Sequence, residues 1–316
     1  MNTPLVSIIC TAYNHELYIK QCLDSFIIQK TDFEFEVVIN DDASTDKTAS
    51  IIKEYEQKYP LIIKPIYQTE NQYSKRSGLW RTILFPRAKG KYIAICEGDD
   101  YWTDPLKLQK QVDFMEKNGD FTLICGGFKS IGPTGEKVEI LENLLPPDQE
   151  DEDGFYFTLR DFSKVWLTKT LTTLFRNIPD LTNYSTKYQF SRDIHLFYHL
   201  LKSGKGYYMK QVLGVYNKHE GGVFSLKSRE QKLLVHYYIY KDMYLKSPDE
   251  FTRVKYLETC ADLLNLRISI SMKDDKIRIK TLLPVLLKLV KTKSDLSYLI
   301  KSLIPSQIKA ISHSKK

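Results

Sequence analysis

Cysteine, glycine and proline are sparse in this sequence, long uncharged apolar runs are missing, and each shortage removes a class of protein. The five cysteines, Cys10, Cys22, Cys96, Cys125 and Cys260, are odd in number and never spaced CxxC. They read as buried thiols of a reducing compartment, not as a disulfide framework or a zinc site. Fourteen glycines and 12 prolines in 316 residues rule out a collagen-like or low-complexity chain. No stretch reaches the ~18 apolar residues that suggest a membrane-spanning helix. The opening MNTPLVSIICTAYN lacks the basic region of a secretory signal. A cytoplasmic protein is the expectation. No GxGxxG follows the first apolar run, which disfavours a classical dinucleotide-binding fold.

What is present is an ordered globular composition, 42% hydrophobic and 27% charged. The net charge of +7 comes from the end of the chain, where residues 276–316 hold ten Lys/Arg against Asp295 alone. Such a tail suits nucleic acid, an anionic membrane face or solubility.

Short β-rich runs alternate with helical periods through the first 127 residues. Strands are predicted at Leu5–Thr11, Glu34–Asn40, Ile62–Tyr67, Lys91–Cys96 and Phe121–Gly126, with helices at His15–Gln29, Asp46–Tyr59 and Pro105–Asn118. Ser44 or Thr45 is the predicted cap of the second helix, and Asp104 that of the third, with Pro105 in its first turn. The alternation implies an α/β fold with a mainly parallel sheet covered on both faces. An acidic, Pro-rich run at 144–154 reads as a surface loop. A strand at Leu171–Phe175, a helix at Asp193–Lys202 and a strand at Gly206–Tyr216 follow. Beyond Ser225 the pattern turns helical, at Ser228–Leu245, Glu250–Ile270 and Ile277–Val290.

Open α/β sheets bind ligands outside the carboxyl ends of their strands. Those ends read Thr11-Ala12-Tyr13-Asn14, Asp41-Asp42-Ala43-Ser44 and Glu97-Gly98-Asp99-Asp100. Glu97, Asp99 and Asp100 raise one another's cost of ionisation, which a divalent cation would relieve; Gly-Asp-Asp is equally ordinary turn chemistry. Asp41 and Asp42 suit contacts to a base or ribose, or the capping of the next helix. Mg²⁺ or Mn²⁺ is the ion that suits hard oxygen ligands shared with substrate phosphates.

Taken together, a first strand ending TAYN, a second ending NDDASTD and a fourth ending EGDDYW resemble the family 2 glycosyltransferases over roughly residues 5–225. The resemblance implies a GT-A fold holding a metal-bound nucleotide-sugar, UDP by preference, and a sugar transfer with inversion to a hydroxyl acceptor. It implies that Thr11, Ala12, Tyr13 and Asn14 contact the nucleotide, with Asp41 on the base and Asp42 beside it. Asp99 and Asp100 match the ribose and metal carboxylates, with Asp100 favoured for the metal; Glu97 stands where the family usually has Asp. Lys75 suits phosphate neutralisation or is a solvated lysine. Asp193, opening a helix, matches the general base, although a carboxylate there also favours the helix electrostatically. His219, before Gly221 and Gly222, resembles the segment that closes over the diphosphate as a metal or phosphate ligand. His195 and His199, four apart, read as packing or surface residues.

The expected organisation is a catalytic domain at 1–225, with a nucleotide half at 1–127 and an acceptor half at 154–225, and a basic helical extension at 226–316. Leu, Ile and Val mixed with Lys at helical spacing across Ile277–Ile304 suit a peripheral membrane helix or a helix packed on the protein. Nucleic acid is not expected, since no binding motif accompanies the charge. A glycan or lipid-linked oligosaccharide of bacterial surface polysaccharide synthesis is the expected acceptor. A processive synthase is disfavoured by the lack of QxxRW. The alternatives are a sugar nucleotidyltransferase, which would need a Gly-rich basic loop after the first strand, and a non-catalytic scaffold that binds nucleotide-sugars.

Overall fold

The computed structural model describes residues 3–75, 78–133, 135–141, 147–178, 188, 192–219, 227–269 and 279–303. Contacts divide the chain into two compact units, Met1–His219 and Glu220–Lys316.

The first unit contains β1 (Val6–Ala12), α1 (Ile19–Ile27), β2 (Phe35–Asp41), α2 (Thr48–Lys58), β3 (Ile63–Tyr67), β4 (Tyr92–Ile95), β5 (Tyr101–Trp102), α3 (Lys107–Lys117), β6 (Phe121–Gly132), β7 (Gly135–Glu139), β8 (Gly154–Phe157), α4 (Leu159–Phe162), β9 (Leu174–Arg176), α5 (Asp193–Ser203) and β10 (Lys205–Asn217). They form one α/β sheet in the order β3-β2-β1-β4-β9-β6-β10-β5, with β7 on β6 and β8 on β10. β1 lies parallel between β2 and β4, and β2 is parallel to β3. β9 then runs antiparallel to both β4 and β6, joining this block to the parallel pair β6 and β10.

β1 and β4 are nearly unbroken apolar runs because both faces of the sheet are covered. Phe26 of α1 is fully buried, edge-on to Trp102 at 4.8 Å. Burying each such ring favours folding by about 1.5–3 kcal/mol. The Trp102 indole N–H donates to the Leu171 carbonyl at 2.6 Å, which anchors the segment after β4 in the core. Every cysteine is free and buried.

Three helix starts lie two to four residues later than their sequence expectation, each preceded by a turn closed by local hydrogen bonds. α1 begins at Ile19 because Asn14 is left-handed (φ 54°) and the His15 carbonyl accepts the Tyr18 and Ile19 N–H groups. Asp46, not Ser44 or Thr45, accepts the N–H of Thr48 at 2.9 Å. Asp104 accepts the N–H of Leu106 at 2.8 Å, and α3 starts only at Lys107. The strand expected at Leu171–Phe175 opens as a 3-10 turn, Thr170–Thr172, and pairs from Leu174.

The second unit holds α6 (Arg229–Lys246), α7 (Glu250–Ser269), α8 (Ile279–Leu289) and α9 (Lys293–Leu303). Arg253 of α7 is buried and donates to Asp295 at 2.8 Å and to the Leu289 carbonyl. Leu282, Leu286 and Leu289 of α8 are buried while Leu287 is exposed. Much of the apolar face that suits a membrane-surface helix is therefore already covered by protein. No helix among the described residues is long and apolar enough to cross a membrane.

Candidate active site

The carboxyl ends of β1 and β2 are laced together by their own loop side chains. Asn14 Oδ1 accepts the Thr45 N–H at 2.8 Å, and the Asn14 N–H donates to Ser44 Oγ at 3.0 Å. The N–H of His15 donates to Thr48 Oγ1 at 2.8 Å, and that of Glu16 to Asp46 at 3.0 Å. Ala43 joins Asn14 in the left-handed region (φ 62°), a conformation with a cost that persists only where surroundings impose it.

Asp41 and Asp42, both buried, have different surroundings. Asp42 accepts the Gln72 and Tyr73 N–H groups at 2.7 and 2.9 Å, so it holds the loop after β3. Asp41 Oδ2 accepts the Ser44 N–H at 3.3 Å, whereas Oδ1 is buried without a hydrogen-bond partner. Such an acceptor costs about 1–3 kcal/mol unless a donor arrives. Ala12 is buried and Tyr13 exposed at the same rim, beside Thr11.

The run from Glu97 to Asp100 is a turn closed by the Asp100 N–H on the Glu97 carbonyl at 3.0 Å. A Cβ at Gly98 would lie 3.0 Å from His15 Nδ1 and 3.1 Å from the Ala12 Cβ, so a larger residue there has to displace its neighbours by a few tenths of an ångström. The three acids separate by direction. Asp100 is buried and its Oδ1 accepts the Asn217 N–H at 2.9 Å. Burial, then the charges of Asp99 and Glu97, push its carboxyl well above the usual range. Asp99 Oδ2 faces His219 Nε2 at 3.0 Å and His15 Nε2 at 3.8 Å. Glu97 accepts the Thr170 hydroxyl at 3.1 Å, and burial, then Asp99, push its pKa up to about 7. The Asn217 side-chain NH₂ donates to the Asp99 carbonyl at 2.6 Å, tying β10 to the turn.

His219 stacks on Tyr18 at 4.8 Å and meets His15 edge-on at 6.2 Å. Burial holds the His15 imidazole below its ordinary value, so it is neutral near pH 7. Among the described residues no three His, Cys, Asp or Glu side chains converge to enclose an ion. Asp99 and His219 present two donors side by side, beside excess negative charge from Glu97 and Asp100. That set fits a hard divalent cation that completes its shell with water and substrate phosphate oxygens.

Asp193 is the first residue of α5, and its Oδ1 accepts the Ile194 N–H at 2.9 Å. The preceding Arg192 donates to the Tyr73 hydroxyl at 3.0 Å, which attaches the start of α5 to the loop held by Asp42. His195 is buried and its Nδ1 accepts the Arg192 N–H at 3.1 Å, while His199 bonds the Tyr188 hydroxyl at 3.0 Å. Both serve packing. Lys75 is exposed and paired with Glu70 on the same loop. Residues 220–225, expected to close over the diphosphate, lie outside the described residues.

Sequence reasoning did not select His15, Tyr18, Lys169, Thr170, Arg192 or Asn217 for this rim. His15 and Arg192 each adjoin a selected residue and Asn217 lies two before one, which is a usable signal. Lys169 and Thr170 have no local signal, since only the packing of their 3-10 turn beside β4 brings them to Glu97.

The glycosyl transferase family 2 model matches residues 7–195, more than half of the chain and the whole strand-end rim except Asn217 and His219. The Mycobacterium tuberculosis protein Rv1520 is 42% identical over 142 residues, 45% of this chain and 39% of that one. Escherichia coli WfaP, named a UDP-Glc:alpha-D-GlcNAc-diphosphoundecaprenol beta-1,3-glucosyltransferase, is 38% identical over 112 residues, 35% of this chain and 41% of its own. The matched stretch is thus under half of either relative. Staphylococcus aureus TarS 1-349, solved with UDP-GlcNAc, superposes with a TM-score of 0.57 at 21% identity, covering 96% of this chain and 83% of that one. That likeness establishes the GT-A fold.

Proposed function

The chain belongs to glycosyl transferase family 2, and on that footing we propose that it transfers one sugar from a nucleotide-sugar, UDP by preference, to a hydroxyl acceptor with inversion. The observation that carries the reading is the run of distinct side chains along one rim. Asp41 has an unmet buried acceptor on β2, Asp99 stands against His219 after β4, and Asp193 is tethered to the same rim through Arg192 and Tyr73. The UDP-sugar in the names of WfaP and the TarS complex supports the choice of nucleotide.

In this reading Asp41 Oδ1 accepts an N–H of the base, and the rim from Thr11 to Tyr13 lies along the nucleoside. Asp99 and His219 hold Mg²⁺ or Mn²⁺, with Asp100 behind them. This differs from the sequence preference for Asp100, which is buried and already bonded to the Asn217 N–H. The ion supplies Lewis-acid neutralisation of charge developing on the departing diphosphate. Asp193 accepts the proton of the acceptor hydroxyl as its oxygen attacks the anomeric carbon from the face opposite the diphosphate.

We assign the acceptor to a glycan or lipid-linked oligosaccharide of bacterial surface polysaccharide synthesis, a reading that the alpha-D-GlcNAc-diphosphoundecaprenol in the name of WfaP supports. Release of nucleoside diphosphate from UDP-, GDP- and dTDP-sugars, with and without Mn²⁺ or Mg²⁺, tests the reading. Asp99→Ala should abolish the metal stimulation, and Asp193→Asn should lower kcat by about 10²–10⁴ while donor binding persists. Consumption of no nucleotide-sugar under either metal refutes it.

A further inference from the structure

We propose that Lys169, Thr170 and Glu97 form the subsite that reads the hydroxyls of a neutral donor sugar. The inference rests on the transferase reading above and extends it to the identity of the sugar.

Lys169 precedes the Thr170–Thr172 turn, and its backbone is pinned by its carbonyl, which accepts the Thr172 and Thr173 hydroxyls at 3.1 and 2.7 Å. Its Nζ lies 3.4 Å from the centroid of Tyr216 and 5.6 Å from that of Phe128, a corner of two aromatic faces that suits a cation. The ammonium makes no hydrogen bond or ion pair among the described residues. Yet it stands near enough to Glu97 and Asp100 for its charge to favour their ionised forms. Next to it, the Thr170 hydroxyl donates to Glu97 Oε2 at 3.1 Å and fixes that carboxylate in place.

The location follows the chemical order of a nucleotide-sugar. Across the sheet, β2 brings Asp41, β1 the Thr11–Tyr13 rim and β4 the turn with Asp99, against which the end of β10 lays His219, and the turn before β9 with β10 brings Lys169 and Tyr216. A donor with its base at Asp41 and its diphosphate at Asp99 therefore extends its sugar toward Lys169. A carboxylate accepts two hydroxyl protons and an ammonium donates to hydroxyl oxygens, so neighbouring hydroxyls bridge Glu97 and Lys169. A sugar carboxylate would add a further negative charge beside the acids of the Glu97–Asp100 turn, whose mutual repulsion already opposes ionisation of Glu97 and Asp100, and so be disfavoured.

The test compares binding of the bare nucleoside diphosphate with that of its sugar conjugates by calorimetry. The probe is whichever of UDP, GDP and dTDP wild-type protein binds, with its hexose conjugate. The hexuronate conjugate is added where UDP is bound. Lys169→Gln should weaken the hexose conjugate about 10- to 100-fold and leave the bare diphosphate within twofold. Wild type should bind hexose more tightly than hexuronate. Thr170→Val, which frees Glu97 without removing a charge, should weaken the hexose conjugate alone by several-fold and supplies the comparison if Lys169→Gln does not fold. Equal loss for diphosphate and conjugate would make Lys169 a phosphate ligand and overturn the proposal, as would no loss in either. Wild type that binds none of the three diphosphates refutes the transferase reading itself, a result distinct from these.

Discussion

The Arg192 guanidinium donates to the hydroxyl of Tyr73, 119 residues earlier, at 3.0 Å. Tyr73 is itself held through its backbone by Asp42 at 2.9 Å. The residue before the proposed base is thus attached to the loop after β3, and the acceptor side of the rim is positioned by its nucleotide side.

Removing that link should affect turnover more than stability. Both residues are exposed, and an exposed polar pair contributes up to about 1 kcal/mol to folding. Tyr73→Phe and Arg192→Met are each expected to lower kcat/KM about tenfold, with the double variant no worse than either single one. A double-mutant cycle on kcat/KM, with melting curves alongside, checks this; additive losses would show that the two act separately.

Adjacent acids on β2 should give opposite phenotypes. In Asp42→Asn one oxygen becomes an NH₂ facing a backbone N–H, and a buried mismatch of this kind destabilises by about 1–3 kcal/mol. Asp41→Asn perturbs a carboxylate whose Oδ1 has no protein donor. Its melting temperature should hold while nucleotide affinity falls roughly tenfold or more. Thermal melts paired with calorimetry separate the two.

Lys107 should impose a pH-dependent stability. It is fully buried, bonded to Gln111 at 2.8 Å and 4.0 Å from the Trp102 ring centroid. Burial pulls its ammonium down to about 7, with Cys96 and Asp104 opposing. Between that value and the usual lysine range the unfolded chain binds more protons than the folded one. Stability therefore rises with pH through this window, by up to about 1.4 kcal/mol per unit, and the benefit is absent below it. The Trp102 face favours the cation and moderates the slope. Urea titrations at pH 6.5 and 9 should show a larger gain for wild type than for Lys107→Met; equal gains would refute a buried neutral lysine.

Asp295 should be indispensable to the second unit. It accepts from Arg253 at 2.8 Å and from the N–H groups of Lys291 and Thr292 at 2.9 Å each. Asp295→Ala leaves the buried Arg253 guanidinium with Glu250 as its remaining carboxylate partner, at a cost of about 1–3 kcal/mol for the lost buried hydrogen bonds. Arg253→Met with Asp295→Leu should recover much of this. Denaturant unfolding followed by far-UV circular dichroism measures both.

Strand–helix alternation and the ordering of TAYN, NDDASTD and EGDDYW were legible because they are local. An apolar run buried on both faces reads the same in sequence and in the sheet, so the strand at Phe121–Gly126 starts in the structure where it is expected. Helix starts were less legible, since the turns before α1 and α2 are also tied to each other across the fold, by Asn14, Ser44 and Asp46 over 30 or 31 residues.

By itself the sequence determined the α/β class, the strand-end acids and the family, because residue type, period and spacing carry these along the chain. Only the tertiary structure decided which neighbour each acid meets: Asp99 faces His219 across 120 residues, and Glu97 faces Thr170 across 73. It likewise left Lys75 with Glu70 and brought Lys169 to Tyr216. The reason is physical: hydrogen bonds and burial at the rim depend on how distant elements pack, and no local pattern encodes that distance.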